Sequence, residues 1–335
     1  MASTIRDVAR QAGVSISTVS RVLNNTCAVA KDKRARVEKA ALELGYVPNP
    51  NARSLLMKST GGIGILLPHV SGEFFSEFLT GLDEVAKDND FFLLISASHH
   101  RAAEWQASVQ SVYKRVDGLI VMAPQLTPRQ LNLVTDVPTV FVNTPVAPRD
   151  RQSVDVMNFD NLGGTRTATE YLIGLGHKKL AYVAGPERAF DARERRAGFV
   201  AAMTAAGIED YTILQAGYVP ELGRAAAAEL LAMDELPTGV LVANDYSALG
   251  LASELMASGV RIPEDVSIIG FDNVPSAAFA RPSLTTISVP IREVGMQALQ
   301  MLISRIRNSD YSPGRTVNLP VELVVRETTA KPLAS

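Results

Sequence analysis

The chain has 335 residues, 47% of them hydrophobic and 20% charged, a composition that suits two or three globular domains and excludes a disordered chain. No apolar run reaches the roughly 18 residues of a membrane helix. The opening MASTIRDVARQAG lacks the apolar stretch of a secretory signal, and the single cysteine, Cys27, cannot pair within the chain, so a soluble cytoplasmic protein is expected. The net charge of −2 hides an uneven distribution. Residues 1–58 carry ten basic against four acidic side chains, or +6, which leaves 23 basic and 31 acidic, or −8, for the rest. A basic head on an acidic body points the head toward a polyanion, although a merely solvated basic surface would give the same count.

The head reads as three short helices. Thr4 with Asp7 forms a capping pair, and Ile5, Val8, Ala9 and Ala12 then give one apolar face at helical spacing. Gly13 breaks that helix, and Ser15 can cap a second one from Ile16 to about Leu23, with Val19, Val22 and Leu23 facing inward. Two helices across a tight glycine turn make a helix-turn-helix, whose second helix can enter the major groove of DNA. Ile16, Ser17, Ser20 and Arg21 lie on its outer face, where small polar groups, one aliphatic group and one cation suit base edges, thymine methyls and phosphates. Thr4, Ser15, Thr18 and Asn24 complete the candidate DNA-contacting set. A third helix is expected from about Lys31 to Leu44, ending at Gly45. Pro48 and Pro50 follow, and Asn51 can then start a short helix from Ala52 to Met57. That last helix is too short to be stable alone in water, so it forms only against a partner surface such as a second copy and DNA together.

The segments IRDVARQAGVSISTVSRVLNN and LGYVPNPNARSLL resemble the lactose/galactose repressor (LacI/GalR) family of bacterial transcription regulators, and the likeness extends over nearly the whole chain. The resemblance implies that Ile16 and Ser17 read operator bases, and that Leu55, with Ala52 beside it, wedges between base pairs from the minor groove. In place of the family's Ser or Thr cap on the third helix, this chain has Ala30 after Val29, a loss of about 1 kcal/mol that Asp32 offsets in part through the helix dipole. Cys27, in the same loop, reads as incidental, with oxidation sensing as the alternative.

Beyond Lys58, apolar strand candidates at 62–68, 91–97, 117–123, 138–143, 179–185, 238–244 and 266–272 alternate with helical stretches at 73–87, 102–116, 161–174, 193–206, 221–233 and 245–258. Continuous apolar strands alternating with helices indicate parallel sheets covered on both faces, and two such sets indicate two doubly wound lobes with a crevice at the strand carboxyl ends. The fold class expected is therefore an N-terminal all-α helix-turn-helix domain followed by an α/β body of two doubly wound parallel-sheet lobes. The resemblance implies the periplasmic-binding-protein fold for that body, with three chain crossings between lobes. The expected domains are 1–46 for the head, 47–60 for the hinge helix and linker, and 61–335 for the effector-binding and dimerisation body. Its N-lobe spans about 61–160 plus 291–320, and its C-lobe about 161–290 plus 321–330.

Polar residues fall where such a crevice needs them. Asp272 follows the strand VSIIGF, Asn244 and Asp245 follow TGVLVA, Asp160 and Asn161 open a helix, and Arg193, Arg195 and Arg196 lie near the start of another. A carboxylate and a guanidinium facing one cleft each hold two hydroxyls or polar ring atoms, and Phe74, Phe75 and Tyr218 are candidate flat walls. The resemblance assigns ligand contacts to Phe75, Arg195, Tyr218, Asn244 and Asp272; Phe74 and Arg193 join them as candidates. Asp245 reads as a helix cap rather than a contact, Asp160 could also cap, one of Phe74 and Phe75 could be core, and Arg196 is expected to face solvent.

Enzyme readings fail: Gly61-Gly62-Ile63-Gly64 precedes the first strand instead of following it, and neither a phosphate loop nor a nucleophile elbow occurs. No cofactor is expected, and no metal, since His69, His99 and His100 lack ligand spacing. A secreted sugar-binding protein would explain the body but leave the basic head without a purpose. The expected partners are operator DNA, a second copy of the chain and a small effector: a sugar or sugar derivative, with a purine or nucleoside left open. The ending RETTAKPLAS has no leucine heptads, so a dimer rather than a tetramer is expected.

Overall fold

The computed structural model describes residues 3–23, 29–46, 59–97, 102–131, 137–147, 154–308 and 313–333, and the chain divides into two compact units, Met1–Gly62 and Ile63–Ser335. Asn24, Cys27, His99, His100 and the segment 47–58, with Ala52 and Leu55, lie outside the described residues.

The first unit holds α1 (Ile5–Ala12), α2 (Ile16–Leu23) and α3 (Lys31–Glu43). The Asp7 carboxylate accepts from the Thr4 N–H at 3.1 Å and from the Thr4 hydroxyl at 2.7 Å, which fixes the start of α1. Gly13, at φ +63°, ends that helix in the left-handed conformation that glycine tolerates. Ser15 Oγ accepts from the Thr18 N–H at 3.2 Å and opens α2. Val8, Ala12, Val19, Val22, Val37 and Ala40 are buried together among the three helices. The Gln11 amide donates to the Glu43 carboxylate at 2.6 Å, tying α1 to α3. Ala30 starts α3 with no side-chain cap.

The second unit starts with β1 (Gly62–Leu67), α4 (Glu73–Asp88), β2 (Phe92–Ala97), α5 (Ala102–Tyr113), β3 (Gly118–Val121), α6 (Pro128–Leu131), β4 (Thr139–Val142) and β5 (Asp155–Phe159). A second set follows: α7 (Asn161–Leu175), β6 (Leu180–Ala184), α8 (Phe190–Ala205), β7 (Tyr211–Gln215), α9 (Pro220–Leu231), β8 (Gly239–Val242), α10 (Asp245–Ala257), β9 (Ser267–Asp272), α11 (Pro275–Phe279) and β10 (Thr285–Ser288). The chain then returns with α12 (Ile291–Arg307) and β11 (Thr316–Leu319), and finishes with β12 (Glu322–Val324). Two six-stranded sheets result, in the orders β11-β5-β4-β3-β1-β2 and β12-β10-β9-β8-β6-β7. The chain passes between lobes at three places: from β5 to α7, from β10 to α12, and from β11 to β12.

Buried runs such as Gly62–Leu67 and Ser267–Asp272 form central strands because helices cover both faces. Pairing is parallel for β3 with β1 and for β8 with β6, but β12 runs antiparallel to β10, with Ile287 opposite Leu323, so the second sheet is mixed rather than wholly parallel. Five strands, β5, β7, β10, β11 and β12, and the helices α6, α11 and α12 add to the expected elements. The first sheet is clamped by Asp155, buried at the start of β5, which accepts from Arg305 of α12 (2.7 and 3.0 Å) and from Arg315 just before β11 (2.7 Å). Burial would raise that carboxyl, but the two guanidinium groups outweigh it and hold it down at about 2.

Among the described residues no helix is long and apolar enough to cross a membrane, and no group of three or more His, Cys, Asp or Glu is placed to hold a metal.

Candidate functional site

The carboxyl ends of both sheets open onto one cavity of about 310 Å³ between the lobes. From the first lobe, Phe74 and Phe75 of α4 and Gln125 and Asn143 from the loops after β3 and β4 line it. From the second come Asp191, Arg195, Tyr218, Asn244, Tyr246 and Asp272. This is the crevice that doubly wound sheets offer to a ligand.

Arg195, 3% exposed on the second turn of α8, is its electrostatic centre. Its Nη2 lies 3.2 Å from Asp272 Oδ1, its Nε donates to Asn161 Oδ1 at 2.9 Å, and its Nη1 donates to the Ala243 carbonyl. The guanidinium carbon stands 3.8 Å from the centre of the Phe271 ring, a cation–π contact that gives the charge a polarisable floor. Burial works against this cation, but Asp272, Tyr218, Asp191 and Tyr182 together outweigh it and raise its pKa. For Asp272 the balance goes the other way. Desolvation pushes the carboxyl up to about 7, with Asp191 adding to the rise and Arg195 opposing it.

The backbone at Asp272 is strained, at φ +112°, and Asn273 follows at φ +60°. Asp245 holds that turn. It is buried one residue inside α10, accepting from the Val274 N–H at 2.9 Å and the Thr286 hydroxyl at 2.6 Å, and burial raises its pKa well above the usual range. Gly270 makes room for it, since a Cβ there would come within 2.1 Å of Asp245 Oδ1. The helix cap is Asn244 instead, whose Oδ1 accepts from the Ser247 N–H at 3.0 Å, so the capping role expected of Asp245 falls one residue earlier.

Both Phe74 and Phe75 line the cavity, with ring centres 5.3 Å apart; Phe75 is buried and also belongs to the core of the lobe. Tyr218 reaches in across Gly185, where a Cβ would approach its ring to 2.5 Å, and donates from its hydroxyl to Asp191 Oδ2 at 2.9 Å. Asn244 lines the cavity with its amide engaged, donating to the Tyr218 carbonyl at 3.2 Å besides capping α10. Arg193 does not join the lining: it is exposed and donates to the Arg188 carbonyl at 2.7 Å. Residues 193 and 195, two apart on one helix, cannot both face the cleft. Asp160 caps α7 by accepting from the Gly163 N–H at 2.8 Å, and Arg196 is exposed as expected.

In the first unit, α2 turns Val19 and Val22 inward and leaves Ser15, Ile16, Ser17 and Arg21 exposed, with Thr18 and Ser20 half-buried. Ile16 is 46% exposed, an aliphatic group left facing out beside small hydroxyls. Ser15 Oγ lies 2.8 Å from both Ser17 Oγ and Thr18 Oγ1, so the three hydroxyls form one cluster at the start of the helix. Thr4 is committed to Asp7.

Residues 4–49 match the family described as bacterial regulatory proteins, lacI family, and residues 169–329 match the periplasmic binding protein-like domain. The chain is 36% identical to the HTH-type transcriptional repressor PurR of Vibrio campbellii, over 98% of this chain and 99% of that protein. The chain belongs to the lacI family. The crystal structure of the Lac repressor dimer bound to operator and the anti-inducer ONPF matches this LacI-family fold with a TM-score of 0.87 at 30% identity, over 98% of this chain and 100% of that one. The complex of the transcriptional regulator CelR with cellobiose matches with a TM-score of 0.73 at 29% identity, over 97% of this chain and 99% of that one. This LacI-family protein is thus a DNA-binding transcriptional repressor with a small-molecule effector, and not an enzyme.

Several residues of the repressor's cleft escape sequence reasoning. At its mouth the Glu73 N–H donates to the Tyr246 hydroxyl at 2.8 Å, the Ser276 N–H donates to the Glu73 carboxylate at 2.9 Å, and the Phe190 N–H donates to the Pro124 carbonyl at 2.8 Å. All three join the first lobe to the second. Nearer the crossings, Asn161 donates to Asn143 Oδ1 at 2.9 Å. Asn161 is placed near the crevice by sequence, but none of these contacts joins residues adjacent in sequence, so only the folded topology reveals the pairings.

Proposed function

We propose that the chain represses transcription by binding a near-palindromic operator as a homodimer, and that a sugar or sugar derivative bound between the two lobes controls this binding. The working parts are a head at 1–46, a hinge at 47–60 and an effector body at 61–335. Ile16 and Ser17 read base edges, Ser15, Thr18, Ser20, Arg21 and Asn24 support the docking of α2 beside the phosphates, and Thr4 fixes the start of α1 through Asp7. Leu55, with Ala52, supplies the minor-groove wedge. Such a regulator works in the cytoplasm, where its operator is.

The observation that carries the effector reading is the buried Arg195–Asp272 pair, set in a cavity that both lobes line. A guanidinium and a carboxylate side by side offer donors and acceptors to neighbouring hydroxyls, and Phe75, Tyr218 and Asn244 frame them, with Phe74 beside Phe75. The CelR complex with cellobiose, of the same fold, supports a carbohydrate ligand. The flat walls at Phe74, Phe75 and Tyr218 favour a purine or nucleoside as the second reading. The ligand acts by linkage: it binds the DNA-competent and DNA-incompetent arrangements unequally, and DNA changes its affinity by the same factor.

A thermal-shift screen of the purified repressor against sugars, sugar acids, sugar phosphates and purines tests the reading. A ligand at a hundred times its Kd stabilises by about 2.7 kcal/mol, a shift of several degrees. A hit that disappears in Arg195→Ala supports the cleft. A flat response from every class refutes this account of the effector.

A further inference from the structure

We propose that Asp191 is the specificity-determining residue of the cleft: its uncommitted oxygen, together with the Gln125 amide in the wall from the first lobe, selects an uncharged ligand bearing adjacent hydroxyls and excludes sugar phosphates, sugar acids and nucleotides. The inference rests on the cleft being the effector site.

Asp191 is 6% exposed on the first turn of α8 and lines the cavity. Its Oδ2 is taken by the Tyr218 hydroxyl at 2.9 Å, whereas its Oδ1 is buried and has no hydrogen-bond partner. A carboxylate oxygen held dry without a donor is unfavourable, so the site is incomplete until a donor arrives. Gln125 is in the same condition: both its amide oxygen and its amide nitrogen are buried without a partner in the same lining. The first lobe therefore offers an amide donor group and an acceptor, and the second offers Asp191 Oδ1, beside Asp272 Oδ1, which likewise has no hydrogen-bond partner but faces Arg195 at 3.2 Å. Adjacent hydroxyls, each both donor and acceptor, satisfy this set, and they occur alike on a sugar ring and on the ribose of a nucleoside.

Charge removes the anionic relatives of those molecules. Among the described residues, the lining holds no lysine and, apart from Arg195, no arginine, and it holds two aspartates. Arg195 is directed at Asn161, the Ala243 carbonyl and Asp272, and His69 at Ser71 Oγ and the Phe75 ring. A phosphate or carboxylate entering here meets the Asp191 carboxylate, and among the described residues of the lining no uncommitted guanidinium or ammonium receives it. Like charges at low dielectric repel strongly.

The test is isothermal titration of the full-length repressor at neutral pH with matched probes: ribose against ribose 5-phosphate, cellobiose against cellobionic acid, and guanosine against guanosine monophosphate. At least one uncharged probe is expected to bind, with its charged counterpart at least 100-fold weaker. Asp191→Asn, near-isosteric and checked for folding by circular dichroism, should cut that discrimination at least tenfold. Gln125→Ala should weaken the uncharged probe at least tenfold. A charged probe binding as tightly as its uncharged counterpart overturns the proposal while leaving the cleft as the effector site. Unchanged discrimination in Asp191→Asn does the same. Silence from all six probes overturns the effector reading itself, and this inference with it.

Discussion

Asp272→Asn is expected to stabilise the ligand-free repressor at alkaline pH while abolishing its response to effector. The carboxyl of Asp272 sits at about 7 in the folded chain, against 3.8 for the unperturbed side chain. Three pKa units at 1.36 kcal/mol each amount to about 4 kcal/mol. For an acid raised in this way the folded state holds the proton more tightly than the unfolded one. Its contribution to stability is thus greatest below about 4 and is lost as pH climbs through about 7. Asparagine carries no such penalty, and Arg195 keeps Asp191 as a neighbouring counter-charge. The variant should exceed wild type by up to about 4 kcal/mol at pH 8, and by less than about 2 kcal/mol at pH 5. Melting curves of the two proteins from pH 5 to 8 would show a gap widening to roughly ten degrees, taking about 2–4 °C per kcal/mol for a domain of this size. A variant that melts below wild type at pH 8, or a gap independent of pH, would mean that the attraction of Arg195 outweighs the cost of burying the carboxylate.

Four further outcomes are expected. Asp155→Ala leaves Arg305 and Arg315 without their shared buried partner and should cost about 3–5 kcal/mol in urea unfolding; a loss under 1 kcal/mol would show that the clamp is dispensable. Ala30→Ser supplies the missing cap on α3 and should stabilise the head by about 1 kcal/mol, read from its melting by circular dichroism; no gain would point to a cap geometry that serine cannot meet. Operator affinity should fall linearly on a log–log plot against salt, since lysine and arginine displace counterions, and a flat line would remove the phosphate contacts. Leu55→Ala should weaken specific operator binding by a few kcal/mol at most without changing effector affinity, and unchanged operator binding would eliminate the wedge.

What the sequence discloses is what local chemistry decides. Thr4 with Asp7, Gly13 and Ser15 mark helix ends through contacts within three residues, and the head follows from them. The central strands are legible because burial on both faces makes them unbroken apolar runs. Asp155–Phe159 escapes although it is central, because Asp155 and Asn158 interrupt its apolar run, and the other strands that escape are of another kind. Tyr211–Gln215 and Thr316–Leu319 are half-covered edge or near-edge strands with mixed composition. Thr285–Ser288 hides behind threonines whose hydroxyls bond to Asp245 and Thr329 from distant parts of the chain. In the cleft, Asp272 stands out because a charge at an apolar strand end needs a reason, and Arg195 because the family resemblance assigns it a ligand contact. Asp191 does not, because an acid in the first turn of a helix already has one in the helix dipole. Its link to Tyr218 spans 27 positions. The pairing of Arg193 with Arg195 fails for a reason that helical geometry supplies beforehand: two residues apart, they point to different faces.

The return of the chain to both sheets at its end sets an order of events during synthesis. The three-helix head is complete once α3 has emerged, whereas the first sheet waits for β11 beside β5 and the second for β12 beside β10. The DNA-reading part is thus finished hundreds of residues before either lobe can close its final edge. A chain stopped short of Thr316 would lose the last strand of both sheets together and expose β5 and β10 as bare edges. Such a fragment is a candidate for aggregation rather than a repressor freed from its effector, so the placement of two short strands makes an unregulated body hard to reach by truncation.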